Sequence, residues 1–252
     1  MREEDSSGHR HGRAAGKPLL LLIPGMLNTA DIWRPVLPFV REVAEPRIAD
    51  VRTQSSMADM AADAWRLVED SPGPVVLCGY SMGGYVAIEL LARLSSEQRA
   101  RVAGAMFLDT SAVTETADTL RVLEKTVAGF ERDFAQAVER MIPFSIHPDH
   151  RADAGLVEGM RRMLHAVGAA TAIRQVRALM VRADHRAMLA GLGVPVLIAC
   201  GREDRVAPPD LSRDFAALVP GARLEWLERS GHQTTLEQPR EVGELILSLL
   251  PK

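Results

Sequence analysis

Two rhythms of apolar and polar residues run along this chain. Short apolar runs recur at Pro18 to Ile23, closed by Pro24-Gly25, at Pro74 to Cys78, Val102 to Leu108, Val194 to Cys200 and Ala222 to Leu227. These read as strands, with Arg47 to Val51 as a further candidate. Between them the apolar spacing is helical. Ser56 to Val68 predicts a helix with Ser56 as N-cap and Asp59 at the position that reaches back to it. Met82 to Leu94 predicts another, with Glu89 and Arg93 paired four residues apart. Pro208-Pro209 opens a helix through Val219, and Val242, Leu245, Ile246 and Leu249 stripe a last one. Strands alternating with helices predict an α/β fold around a largely parallel sheet.

The alternation breaks once. From Ser111 to Leu189 the pattern is helical throughout, with Leu120, Leu123 and Val127, then Phe130, Phe134 and Val138, then Val157, Met160, Met163, Leu164 and Val167. Such a segment is too long for a loop and must pack somewhere. The loop face of the sheet is available to it. The expected division is a core of residues 17–110 and 190–252, a helical insertion of residues 111–189, and a polar, disordered tail of residues 1–16.

Composition narrows the function classes. The chain has 252 residues, 47% hydrophobic and 25% charged, as in soluble globular proteins. A formal net charge of -3 gives no electrostatic case for nucleic acid or an anionic membrane as partner. The tail carries no signal-peptide core, and Leu19 to Ile23 is too short to span a bilayer. A cytoplasmic protein is expected. Cys78 and Cys200 each sit in an apolar run and read as small buried residues rather than a disulfide.

Gly79-Tyr80-Ser81-Met82-Gly83 has the form G-x-S-x-G between a predicted strand and a predicted helix. In that setting the serine occupies a sharp, strained turn and its hydroxyl projects above the strand ends. The helix N-terminus behind it supplies partial positive charge where an oxyanion would form. A serine hydroxyl needs a base. His9 and His11 lie in the tail; His147, His150, His165 and His185 lie in the insertion, with His147-Pro148-Asp149-His150 read as a polar surface loop. His232, between the last strand and the last helix, is placed to act. A carboxylate must hold its other N–H. Asp204, after the strand ending at Cys200, and Asp109, ending the strand Val102–Leu108, are the candidates. Oxyanion donors are expected from the Met82 N–H and, after the first strand, from the Met26 N–H, with Leu27 as neighbouring alternative.

These residues resemble the α/β-hydrolase superfamily, close to its esterase, enol-lactonase and non-haem haloperoxidase-like branch. The matching segments are Leu19 to Gly25 with Trp33 downstream, Gly79 to Gly84, Gly201-Arg202-Glu203-Asp204, and Gly231-His232 followed by Leu236-Glu237-Gln238-Pro239. The resemblance implies a mostly parallel eight-stranded sheet flanked by helices, a helical cap after the sixth strand, and no cofactor. Its chain order of Ser, Asp and His favours Asp204 over Asp109. Serine at position 81 speaks against the dehalogenase and epoxide-hydrolase branches. The family often has His-Gly where this chain has Pro24-Gly25, which puts in question how the oxyanion loop is held. The implied chemistry is cleavage of a small or medium apolar ester, lactone or thioester through an acyl group on Ser81. Leu27, Phe130, Phe134, Met141, Phe144, Met160 and Met163 are the candidates for the pocket, with no metal. A C–C bond hydrolase, an acyltransferase, or a non-catalytic binding protein of the same fold are the alternatives.

Overall fold

A computed structural model describes residues 17–251; the predicted tail of residues 1–16 lies outside them. Six strands carry the fold: β1 (Leu19–Ile23), β2 (Glu45–Ile48), β3 (Val75–Tyr80), β4 (Val102–Leu108), β5 (Val196–Gly201) and β6 (Arg223–Leu227). They form one sheet in the order β2-β1-β3-β4-β5-β6, parallel at every pairing. The helices are α1 (Leu37–Val40), α2 (Met57–Arg66), α3 (Met82–Arg93), α4 (Ser96–Ala100), α5 (Ala117–Ser145), α6 (Ala154–Val167), α7 (Ala169–Met180), α8 (Arg186–Leu189), α9 (Pro209–Leu218), α10 (Thr234–Glu237) and α11 (Pro239–Leu247).

Period-two alternation gives the sheet two buried faces. Leu19, Leu21 and Ile23 of β1 join a core with α2, α3 and α9; Leu20 and Leu22 join a second core with α1 and α11. All five side chains are buried, each contributing on the order of 1.5–3 kcal/mol relative to exposure. The Ser56 side chain accepts the Asp59 N–H and caps α2, while the Asp59 carboxylate accepts the Ser56 hydroxyl at 2.7 Å. Cys78 and Cys200 are free and buried. No helix among the described residues is long and apolar enough to cross a membrane.

Three expectations need correction. The sheet has six described strands, all parallel, rather than eight, and the helical insertion follows the fourth, β4, rather than the sixth. The second strand also lies earlier than Arg47–Val51. It is an edge strand, fixed by register with β1 from Leu19↔Glu45 to Leu22↔Ile48 rather than by apolar content.

The helices α5, α6 and α7 share a core of their own, in which Phe130, Val138, Ile142, Met160, Leu164 and Val176 pack with Leu27 of the sheet domain. Leu27 belongs to the loop after β1, so the insertion sits over the carboxyl ends of the strands, where α/β proteins form their ligand crevices.

Candidate active site

Ser81 directly follows β3 and directly precedes α3. Its backbone stands at φ 52, ψ -119, a left-handed conformation unusual for a residue with a side chain. The turn closes because Gly79 and Gly83 lack Cβ atoms. A Cβ on Gly79 would overlap the Gly83 carbonyl, and one on Gly83 would overlap the Ile23 carbonyl of β1. Ser81 N–H donates to Leu108 O at 2.8 Å, which fixes the turn to β4.

The hydroxyl faces an imidazole. His232 Nε2 lies 2.9 Å from Ser81 Oγ, and His232 Nδ1 lies 2.7 Å from Asp204 Oδ2. Asp204 is acceptor-only when ionised, so Nδ1 carries the proton and Nε2 is left to accept from the serine. The second Asp204 oxygen accepts the N–H groups of Val206 and Ala207, at 2.7 and 2.9 Å. Burial pulls the His232 pKa down, but the charge and hydrogen bond of Asp204, with the charge of Asp109, outweigh it and hold the imidazole above its ordinary value.

The loop carrying His232 is held on all sides. His232 N–H donates to Ser145 O at 2.7 Å, and Tyr80 Oη donates to His232 O at 2.8 Å. Glu203, beside Asp204, points away and accepts the Ser230 N–H at 3.1 Å. Glu237 works from below. One of its oxygens accepts the N–H groups of Gly231 and Gln233, at 2.9 and 3.2 Å; the other accepts His147 N–H at 2.7 Å and meets His150 Nδ1 at 2.8 Å. The segment His147–His150 lies at the surface as read from sequence, with Pro148 and Asp149 exposed, but its His147 N–H and His150 ring turn inward to Glu237. It packs onto the base loop because a buried carboxylate there requires donors.

Asp109 lies apart from this array. It accepts Gly201 N–H at 3.0 Å and the hydroxyl of Thr234, and makes no hydrogen bond to His232. Burial, together with the nearby charge of Asp204, pushes its pKa well above the carboxylate range.

The two expected oxyanion donors belong to residues next to the serine: Met82 directly follows Ser81, and a Cβ on Gly25, beside Met26, would lie 3.1 Å from Ser81 Cβ. Among the described residues, neither Met26 N–H nor Met82 N–H is given to another backbone acceptor outside the regular helices and strands. Leu27, the alternative, is occupied: its N–H donates to Gln175 Oε1 at 3.0 Å.

A cavity of about 730 Å³ opens above Ser81 and His232. Of the pocket candidates, Leu27, Phe130, Met141 and Phe144 line it, together with Met26, Val122 and Leu123. Phe134, Met160 and Met163 do not line it. Phe134 stacks edge-on against Phe130 with ring centroids 5.5 Å apart, Met160 is buried in the core of the insertion, and Met163 packs against the sheet with its sulfur 4.0 Å from Asn28 Nδ2. Helical spacing puts a residue on a face without telling which of two apolar environments that face meets. The lining also holds four cations, Lys125, Arg132, Arg140 and Arg205, against one carboxylate, Asp133. None of the four pairs with a carboxylate among the described residues.

Sequence reasoning missed Gln175, Glu237, Tyr80 and this basic rim. Glu237 stood inside a matched segment, but its partners lie 87 and 90 residues away along the chain.

Residues 20–245 match the model of the Alpha/beta hydrolase family. Over 189 residues, 74% of this chain and 73% of the relative, it is 28% identical to a pimeloyl-[acyl-carrier protein] methyl ester esterase of Neisseria meningitidis. The fold is similar to that of the enol-lactonase from Burkholderia xenovorans, with a TM-score of 0.82 and 19% identity over 96% of this chain and 93% of that one. It is also similar to a thermophilic esterase from Thermogutta terrifontis, with a TM-score of 0.80 and 23% identity over 93% of this chain and 89% of that one. The chain belongs to the alpha/beta hydrolase family.

Proposed function

We propose that this chain hydrolyses carboxylic esters through an acyl-enzyme on Ser81. One observation carries the reading: a strained serine whose Oγ lies 2.9 Å from an imidazole that is held, 2.7 Å away on its other side, by a buried carboxylate. Ser81 Oγ attacks the ester carbonyl and passes its proton to His232 Nε2. The oxyanion takes the N–H groups of Met82 and Met26. The carbon–oxygen bond to the leaving alcohol breaks as His232 returns the proton to that oxygen. Water then attacks the acyl carbonyl, gives a proton to His232, and releases the acid as Ser81 Oγ is re-protonated.

The acyl group is small or medium and apolar, matched to Leu27, Phe130 and Met141 around a cavity of about 730 Å³. Four unpaired cations in the same lining favour substrates whose far end is anionic. A methyl ester on an acyl chain that ends in, or is carried by, an acidic group fits this arrangement. The relatives named for a pimeloyl-[acyl-carrier protein] methyl ester agree with it.

The test is hydrolysis of p-nitrophenyl acetate, butyrate and octanoate, and of monomethyl against dimethyl esters of dicarboxylic acids, beside Ser81→Ala. Turnover is expected to drop roughly 10⁴-fold or more in the variant. The monomethyl ester is expected to show the lower KM, by an amount that shrinks with added salt. Equal turnover in both proteins would reject the acyl-enzyme. A dimethyl ester preferred at every ionic strength would reject the anionic end.

A further inference from the structure

We propose that Gln175, on helix α7 of the insertion, is the positioning residue that holds the oxyanion loop in its working shape. The inference rests on the acyl-enzyme reading above.

The loop after β1 needs an external hold. Leu27 stands at φ 61, in the left-handed region, without being glycine. Such a conformation is strained for a residue with a side chain and persists only where the surroundings fix it. Pro24, at the start of the loop, has neither an N–H nor a polar side chain to contribute. Within the loop itself a single turn bond, Asn28 N–H to Gly25 O at 3.3 Å, spans Met26 and Leu27.

Gln175 supplies what is missing. It is fully buried, and its amide spends both ends. Oε1 accepts Leu27 N–H at 3.0 Å, and Nε2 donates to Val51 O, also at 3.0 Å. Its neighbour Arg174 donates to Gln54 O at 3.1 Å and to Arg52 O, so α7 is anchored to the same stretch that receives the Gln175 amide. Leu27 N–H belongs to the peptide unit adjoining the one that carries Met26 N–H. Pinning Leu27 N–H to Gln175 turns it away from the serine, fixes the plane of that peptide, and leaves Met26 N–H as the donor facing the oxyanion. The second oxyanion donor is thus set by the insertion, not by the sheet domain alone.

The experiment compares Gln175→Met, similar in volume but without either hydrogen bond, and Gln175→Glu with the wild type on p-nitrophenyl butyrate. Gln175→Met is expected to lower kcat roughly 10- to 100-fold with KM within about twofold, short of the loss on deleting an oxyanion donor outright. Affinity for a trifluoromethyl ketone, whose adduct carries an oxyanion, falls by the same factor, while inhibition by the product acid is unmoved. Gln175→Glu retains the acceptor for Leu27 N–H. Its activity relative to wild type rises as pH falls, because a protonated carboxyl offers one acceptor and one donor as the amide does. That pH signature decides the matter on its own where Gln175→Met does not fold. A folded Gln175→Met enzyme with wild-type kcat, or a Gln175→Glu enzyme whose relative activity is flat with pH, would overturn the proposal. Activity persisting in Ser81→Ala would instead remove the acyl-enzyme reading and leave these hydrogen bonds without that consequence.

Discussion

Asp204 and Asp109 sit at the ends of neighbouring strands, and what separates them is the partner each has spent its oxygens on. Asp204 holds His232 Nδ1 and two backbone N–H groups, while Asp109 holds Gly201 N–H and Thr234. Asp204→Asn is therefore expected to reduce kcat about 10⁴-fold by presenting the wrong tautomer. Asp109→Asn should keep activity within several-fold, since asparagine tolerates the φ of 50 found there. Steady-state kinetics on the two variants distinguishes them. The pH dependence follows from the same groups. His232 must be neutral to act and is held above its usual value of about 6.5, so kcat/KM should fall on the acid side with a midpoint above that. In Asp204→Asn the midpoint should move down. Asp109 is raised in the folded state, so the unfolded chain loses that proton first. Its contribution to stability declines as pH rises from about 3.9 towards its folded value. Denaturant midpoints should show Asp109→Asn gaining on the wild type as pH rises above about 4. The array itself was legible because Ser81, Asp204 and His232 each sit at a strand end that the apolar runs marked. The apolar runs alone placed both aspartates at strand ends, and only the Ser, Asp, His chain order of the resemblance favoured Asp204, the one that meets His232 Nδ1.

Among the elements, α5 shows what periodicity conveys and what it withholds. Its apolar positions fall into separate groups, Leu120, Leu123 and Val127 before Phe130, Phe134 and Val138, and the helix is kinked at Asp133, which has φ -160 and ψ 89. The Asp133 carboxylate accepts Gln136 N–H at 2.9 Å and so acts as an N-cap for the second half. Asp133→Ala should cost about 1 kcal/mol of stability in urea unfolding, and Asp133→Asn much less. Because the second half carries Gln136, Arg140, Met141 and Phe144 to the cavity wall, Asp133→Ala should also change the acyl-chain profile. The sequence showed that residues 111–189 are helical. It could not show that Phe130 reaches the cavity while Phe134 turns to His165, with ring centroids 6.0 Å apart, because both follow one stripe. The same limit displaced β2, an edge strand chosen by pairing rather than by apolar content.

Across the molecule, the insertion is fastened to the sheet domain at the loops that shape the site. Gln175 takes the oxyanion loop, Ser145 O takes the backbone of His232, and the His147–His150 segment meets Glu237 beneath the base. Glu237 is the densest of these joints, a carboxylate with no exposed side-chain surface and four nitrogen partners. Two of the four lie on either side of His232, so the carboxylate sets both the height of the base above the sheet and the seat of the insertion. Glu237→Gln tests whether these are one function. The amide oxygen can serve one side only, and its NH₂ then confronts donors on the other. Leaving buried N–H groups unpartnered costs roughly 1–3 kcal/mol each, so a stability loss of about that size is expected in denaturant unfolding. If the amide oxygen stays with Gly231 and Gln233, the base keeps its place and the loss appears as weaker seating of the insertion, with a raised KM for octanoate and little change in kcat. If the oxygen turns to His147, the base loop loses its acceptor and kcat falls for acetate and octanoate alike. An enzyme unchanged in stability, KM and kcat would show that the base loop stands without Glu237, resting on Tyr80, Ser145 and Glu203.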